Sequence, residues 1–179
     1  MNDDSSDDGK TKDQPALVSE SRPDRARRLA QRGRRHLERH QRISRDLRDG
    51  LFALRDKKFT QALQLFNKAV KADPERGESH YYLGLARFMM NDYEAAADAF
   101  RTAIENGHAG PDTAQSLGDA LMPLEQYEEA AKAYQSALAE RPSAELYGRL
   151  GLALSALGRR DEAKSAVKAA IQMRLGGKR

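Results

Sequence analysis

The sequence predicts an all-α chain, a solenoid of helical hairpins behind a basic N-terminal helix. Three observations carry this expectation. A glycine returns at Gly50, Gly84, Gly118 and Gly151, each followed twelve residues later by an alanine, Ala62, Ala96, Ala130 and Ala163. Aromatic residues make up only 6% of the 179 residues and charged residues 32%. A large sheet core is disfavoured by that balance, because strands draw on aromatic and β-branched side chains. Finally, the chain contains no apolar run of eighteen residues, which excludes a membrane-spanning helix.

Residues 1–21 hold Asp3, Asp4, Asp7, Asp8, Asp13 and Glu20 against Lys10 and Lys12, a net charge of −4. Only Ala16, Leu17 and Val18 cluster as apolar residues there. Such a segment buries too little surface to offset its conformational entropy, so it is expected to be a disordered acidic tail. It also lacks the positive start and apolar middle of a secretory signal.

Residues 22–42 reverse the sign. Nine arginines face Asp24 and Glu38, for a net charge of +7, so the +4 of the whole chain has a local source. Pro23 followed by Asp24 suits a helix start, since proline fits the first turn and a carboxylate suits the positive dipole end. Ala26, Ala30, Gly33, Leu37, His40 and Leu47 then follow helical spacings. This predicts a basic helix from Pro23 and leaves open whether it fuses with the first helix of the repeats. Arg28 with Arg32, and Arg35 with Arg39, are like-charge pairs one turn apart, each costing a few tenths of a kcal/mol. Four roles compete for the arm formed by Arg25, Arg27, Arg28, Arg32, Arg34, Arg35, Arg39 and Arg42. It can be a solvated capping extension meeting Asp46 and Asp49, or a contact for an acidic or helical protein. It can also bind nucleic acid through phosphates, although it lacks aromatics for stacking on bases. The fourth role is an anionic membrane surface, for which Trp and Phe are missing.

From residue 43 the period dominates. Phe66, Phe100, Tyr134 and Val167 lie sixteen residues past each glycine, and Ala69, Ala103, Ala137 and Ala170 three further on. A fixed period in this range means stacked supersecondary units. The expected units are 43–76, 77–110, 111–143 and 144–177, each of two helices. In the second, His80 to Met90 and Tyr93 to Ile104 carry helical apolar spacing around an Asn91-Asp92 turn. In the third, Leu117, Leu121 and Leu124 precede Tyr127, Ala130, Tyr134 and Ala137. Small residues at the crossings let helix axes approach to about 8–10 Å.

This pattern of small and aromatic slots resembles the tetratricopeptide repeat family over roughly residues 43–177. The resemblance implies a right-handed superhelix. Units one and four depart from it: Asp46 and Asp49 replace apolar residues, Val167 fills the aromatic slot, and Arg160 stands where the others have Phe59, Tyr93 and Tyr127. Terminal repeats are expected to be atypical. The resemblance further implies a concave groove lined by the first helix of each unit. Its slots fall on Leu47, Leu51, Leu54 and Arg55, then on Glu78, Tyr81, Leu85, Phe88 and Met89. They continue at Asp112, Gln115, Asp119 and Met122, and at Glu145, Leu152 and Ser155. The groove is expected to be apolar in its N-terminal half and acidic beyond, with some of these side chains serving as core instead. The family's cationic carboxylate clamp would fall on Leu47, Leu51, Tyr82, Asp112 and Ser116, none a cation or an asparagine. An apolar or amphipathic peptide ligand follows.

No enzyme, cofactor or metal is expected. Cysteine is absent, which removes disulfides, thiolate metal sites and thiol nucleophiles and permits a reducing compartment. His36 and His40 lie one turn apart, but arginines crowd them and the order is not that of a zinc helix. Gly176-Gly177-Lys178-Arg179 lacks the upstream glycine and the Ser or Thr of a phosphate loop. The expected function is a cytoplasmic, non-enzymatic adaptor for protein partners. A chaperone for apolar segments and a nucleic-acid-associated protein are the alternatives.

Overall fold

The computed structural model describes residues 22–176; the tail at 1–21 and residues 177–179, the last residue of the fourth unit among them, lie outside the described residues. The described residues form helices and turns, without a strand. The chain divides into two compact units, residues 1–37 and 38–179.

The described part of the first unit is the beginning of α1 (Arg22–Arg55), with the side chains of residues 25–37 exposed. The helix is unbroken through residues 42 and 43, so the basic segment and the first repeat helix are one element. In the second unit, burial along α1 begins at Ile43, one turn before Leu47.

The second unit continues with α2 (Phe59–Ala72), α3 (Gly77–Met89), α4 (Tyr93–Glu105), α5 (Pro111–Leu121), α6 (Tyr127–Glu140), α7 (Ala144–Ala156) and α8 (Arg160–Gly176). Consecutive helices pack on one another from α2 to α8, and α3 also touches α5. The slots of the sequence period now have a physical reading. A β-carbon at Gly84 would come within 2.6 Å of the Phe100 ring, so only glycine lets these two helices cross. The alanines of the second helices, such as Ala62, Ala96 and Ala130, are fully buried at the same crossings.

Each hairpin turns through one residue in the left-handed region, at Lys57 (φ 58°), Asn91 (61°), Glu125 (60°) and Gly158 (74°). The amide of the next residue closes each turn on a carbonyl five residues back, as in Asp92 to Arg87 and Gln126 to Leu121, both within 3.2 Å. This is the Schellman closure, which satisfies carbonyls that the helix end would orphan. Between repeats, Pro111 opens α5, and the Ser143 hydroxyl caps α7 by accepting the Leu146 amide at 3.1 Å.

The core runs in two clusters. Ile43, Leu47, Phe66 and Leu83 anchor one, and Phe100, Leu117, Leu121, Tyr134, Leu146 and Leu150 anchor the other.

Candidate functional site: the face of the first helices

Helices α1, α3, α5 and α7 are the first helices of the repeats, and the period puts Leu51, Leu85, Asp119 and Leu152 in one slot on the four of them. Side chains in the surrounding slots fall into three groups. Met89 and Leu51 are exposed, at 52% and 38%. Leu54, Tyr81, Leu85, Phe88 and Met122 are half-buried, each resting one flank on the core. Leu47, expected on the groove, is only 4% exposed and packs in the core with Ile43 and Phe66. The correction has a simple cause. Ile43 and Leu47 are one turn apart, and the turn that carries Ile43 into the core carries Leu47 with it.

Aromatic rings gather on α3. Tyr81 packs against Tyr82, Phe100 and the His108 ring, with centroids 5.3, 5.9 and 5.1 Å apart, and Phe66 stacks on Tyr82 at 5.7 Å. Burial raises the pKa of both Tyr81 and Tyr82 above the ordinary tyrosine value, so both stay neutral hydroxyls at physiological pH.

The C-terminal half of the face was expected to be acidic. Its carboxylates are in fact held by arginines. Asp112 pairs with Arg141. Asp119 accepts the Tyr134 hydroxyl at 2.8 Å and also takes a guanidinium nitrogen of Arg149, whose other terminal nitrogen reaches Glu145 at 2.8 Å. The Arg149 hydrogen bond holds Glu145 below its ordinary pKa. Burial, reinforced by the negative Asp119, pushes Tyr134 well above its ordinary value. Where the first repeat meets the second, Arg76 donates to Glu78 at 3.0 Å through Nε, and its Nη1 meets His40 Nδ1 at 3.1 Å. The face is therefore charge-compensated where it carries carboxylates and apolar where it does not.

Arg76, Arg141 and Arg149 are the residues that sequence reasoning missed. Arg149 was the findable one. It occupies in α7 the slot held by Tyr82 in α3 and Ser116 in α5, one of the slots where the resemblance places the family's carboxylate clamp. Its guanidinium is committed to Asp119 and Glu145.

On the arm, Arg25, Arg27, Arg28, Arg32, Arg34 and Arg35 are exposed in the first unit, and Arg39 and Arg42 are exposed in the second. Arg42 lines a shallow hollow with Asp46, Lys68 and Lys71, while Asp49 pairs with Arg48 at 3.3 Å. Among the described residues, no cluster of three or more His, Asp or Glu is placed to hold a metal. No helix among them is long and apolar enough to cross a membrane.

Comparison with known proteins adds to this geometry. Two solved structures of MamA align with the chain. One has a TM-score of 0.69 and 28% identity, covering 73% of this chain and 72% of that one. The other has a TM-score of 0.72 over 89% of this chain and 98% of that one, and at 24% identity it speaks to fold alone. The structure of YrrB, described as a TPR protein with an unusual peptide-binding site, aligns with a TM-score of 0.69 and 25% identity, covering 73% of this chain and 68% of that one. A search of the curated proteins finds no match. The family model for the tetratricopeptide repeat matches residues 49–112 and 116–177, most of the chain. With its eight-helix succession and four repeated hairpin turns among the described residues, the chain belongs to the tetratricopeptide repeat family.

Proposed function

We propose that the protein is a non-enzymatic adaptor that binds a helical or extended segment of a protein partner along the face of its first helices. The observation that carries this reading is the apolar strip on α1 and α3. Leu51 and Met89 stand exposed beside half-buried Leu54, Leu85 and Phe88, with ordered aromatic rings behind them. A ligand covering the two exposed side chains gains about 1.5–3 kcal/mol for each if it buries them fully. The paired carboxylates of α5 and α7 give the face little net attraction for a highly charged ligand, which favours an amphipathic segment. Peptide binding in YrrB, a relative of the same fold, points the same way.

The test uses a double substitution, Leu51→Glu with Met89→Glu, at side chains that do not support the core. Partners captured by the full chain should be lost by the variant while its circular dichroism is unchanged, because the added carboxylates must be desolvated on binding. Retention of every partner by a folded double variant would refute the reading. Deleting residues 1–42 in parallel separates partners held by the arm, whose binding should weaken with salt and be competed by nucleic acid if phosphates are the target.

A further inference from the structure

The last repeat carries a second apolar surface, on α7 and α8, which includes Leu152, the α7 residue in the slot of Leu51 and Leu85. Along the array, the corresponding surface is covered by the first helix of the next repeat: α3 packs on α2, α5 on α4, and α7 on α6. Counting back the 33 residues between Gly118 and Gly151 shows what covering does. Tyr134 and Leu138 of α6 are 1% and 8% exposed beneath α7. Their counterparts in α8, Val167 and Ile171, are 45% and 53% exposed, and Leu152 of α7 is 65% exposed. Valine in the aromatic slot also leaves more room. These side chains, with Gly148, Gly151 and Ser155, line an open hollow of about 750 Å³.

The charges around the hollow say what fits it. Arg160, Lys164 and Lys168 line it along one edge of α8, one turn apart, and no carboxylate does, although Lys164 reaches the exposed Asp161 at 3.5 Å. Lys164 stands where Ala131 and Ala97 are buried, and Arg160 where Tyr127 and Tyr93 stand. The Lys168 slot has a precedent in the chain itself. Two periods earlier it holds Arg101, whose guanidinium makes a bidentate pair at 2.8 and 2.9 Å with Glu129, a carboxylate at the start of α6, the second helix of the next repeat.

We propose that the α7–α8 hollow docks an amphipathic helix of a partner protein, one that lays apolar residues over Val167, Ile171 and Leu152 and aligns carboxylates with Arg160, Lys164 and Lys168. The docked helix takes the place that α7 takes on α6, where Leu146, Leu150 and Ala153 join Tyr134 and Leu138 in one core cluster. A second copy of this chain fits less well. The matching outer slots of its α1 hold Arg45, Asp49 and Phe52, with Arg48 alongside, and bring arginines toward three cations. The chain's own acidic segment at 1–21 offers carboxylates, but its apolar residues 16–18 are consecutive and do not share one helix face over several turns.

The test measures binding of two labelled synthetic helices of about four turns to the full chain by fluorescence anisotropy. Both carry leucines at helical spacing; one has glutamates along one edge and the other lysines there. The glutamate helix should bind at least about tenfold more tightly than the lysine helix, since rim charges select among partners. Leu152→Glu with Ile171→Glu should abolish the preference for the glutamate helix. Lys164→Glu with Lys168→Glu should reverse the preference between the helices, and it remains decisive if the first variant is poorly folded. Leu51→Glu with Met89→Glu should leave the preference for the glutamate helix in place, which keeps the outcome separate from that of the first-helix face. Equal binding of both helices by the parent, a preference for the glutamate helix that survives both α7–α8 variants, or loss of that preference in the Leu51/Met89 variant would each overturn the proposal. So would concentration-dependent self-association of the parent that Ile171→Glu dissolves, because the occupant would then be a second copy.

Discussion

Gly118 faces the ring of Tyr134 so closely that a β-carbon at residue 118 would lie 2.5 Å from its Cε1. The ring is 1% exposed and tied at its far end to Asp119, so it cannot swing aside. Gly118→Ala should therefore lose stability, about 1–3 kcal/mol from overpacking, against roughly 1 kcal/mol gained in helix propensity. In the last repeat the same substitution meets a methyl of Val167 at 3.1 Å and, at ordinary contact distance, the Ala163 carbonyl oxygen at 3.5 Å, and Gly148 has nothing within 4 Å. Urea unfolding should rank Gly148→Ala above the parent, Gly151→Ala near it and Gly118→Ala below it. A Gly118→Ala variant as stable as Gly148→Ala would show that the ring is free to move.

The turns give a second prediction. Glu125 sits at φ 60°, where Gly158 stands in the last repeat at φ 74°. A left-handed conformation costs a non-glycine residue about 1–2 kcal/mol, while glycine adds roughly 0.4–1 kcal/mol of unfolded-state entropy to be lost. Glu125→Gly should be stabilising by up to about 1 kcal/mol, and Gly158→Ala destabilising by a similar amount. Thermal unfolding of the two variants should move in opposite directions.

These positions also show what sequence can and cannot reveal. The glycine, alanine and aromatic slots were legible because a helix crossing admits so few residue types, and the period repeated the constraint. One of the four left-handed turns was read from the sequence, at Asn91; Gly158 is a residue type suited to such a turn, while Lys57 and Glu125 gave no sign, because their neighbours impose the conformation. The apolar stripe of α1 was legible, but a stripe does not say which neighbour covers it, so Leu47 was assigned to the groove and lies in the core. The pairing of Asp112 with Arg141 and of Asp119 with Arg149 joins residues 29 and 30 apart. Asp112 and Arg141 meet when the two helices of the third repeat fold back on each other, and Asp119 and Arg149 only once the fourth repeat stacks on the third. Val167 was visible as a departure from the pattern; the hollow beside it required the packing of α7 on α8.

Ser79 offers a third test. It is fully buried in α3, and its hydroxyl has no hydrogen-bond partner among the described residues. Its slot holds Thr113 in the next repeat and Leu146 in the last, both buried, so the site tolerates an apolar side chain. A buried hydroxyl without a partner costs about 1–3 kcal/mol, and Ser79→Ala removes it for little loss of volume. Stability should be unchanged or higher by up to about 1 kcal/mol. A loss of more than that in urea would mean that the hydroxyl is bonded in solution.

The contact between Arg101 of α4 and Glu129 of α6 ties the second repeat to the third and makes stability depend on acid. The hydrogen bonds from Arg101 hold Glu129 below its ordinary pKa. A carboxylate depressed in the folded state contributes stability above its unfolded pKa of about 4.3, and that contribution is lost as pH falls through the lower folded value. Arg101 is a cation throughout this range, so only the glutamate titrates. The two side chains are 35% and 44% exposed, so solvent screening limits the pair to roughly 0.5 kcal/mol despite its bidentate geometry. Glu129→Gln should therefore be less stable than the parent at pH 7, with the gap closing as both proteins are taken to pH values below about 4. High salt should narrow the gap at pH 7 as well. The measurement is urea unfolding of parent and variant at several pH values. A difference that persists undiminished in acid would assign the effect of Glu129 to packing rather than charge.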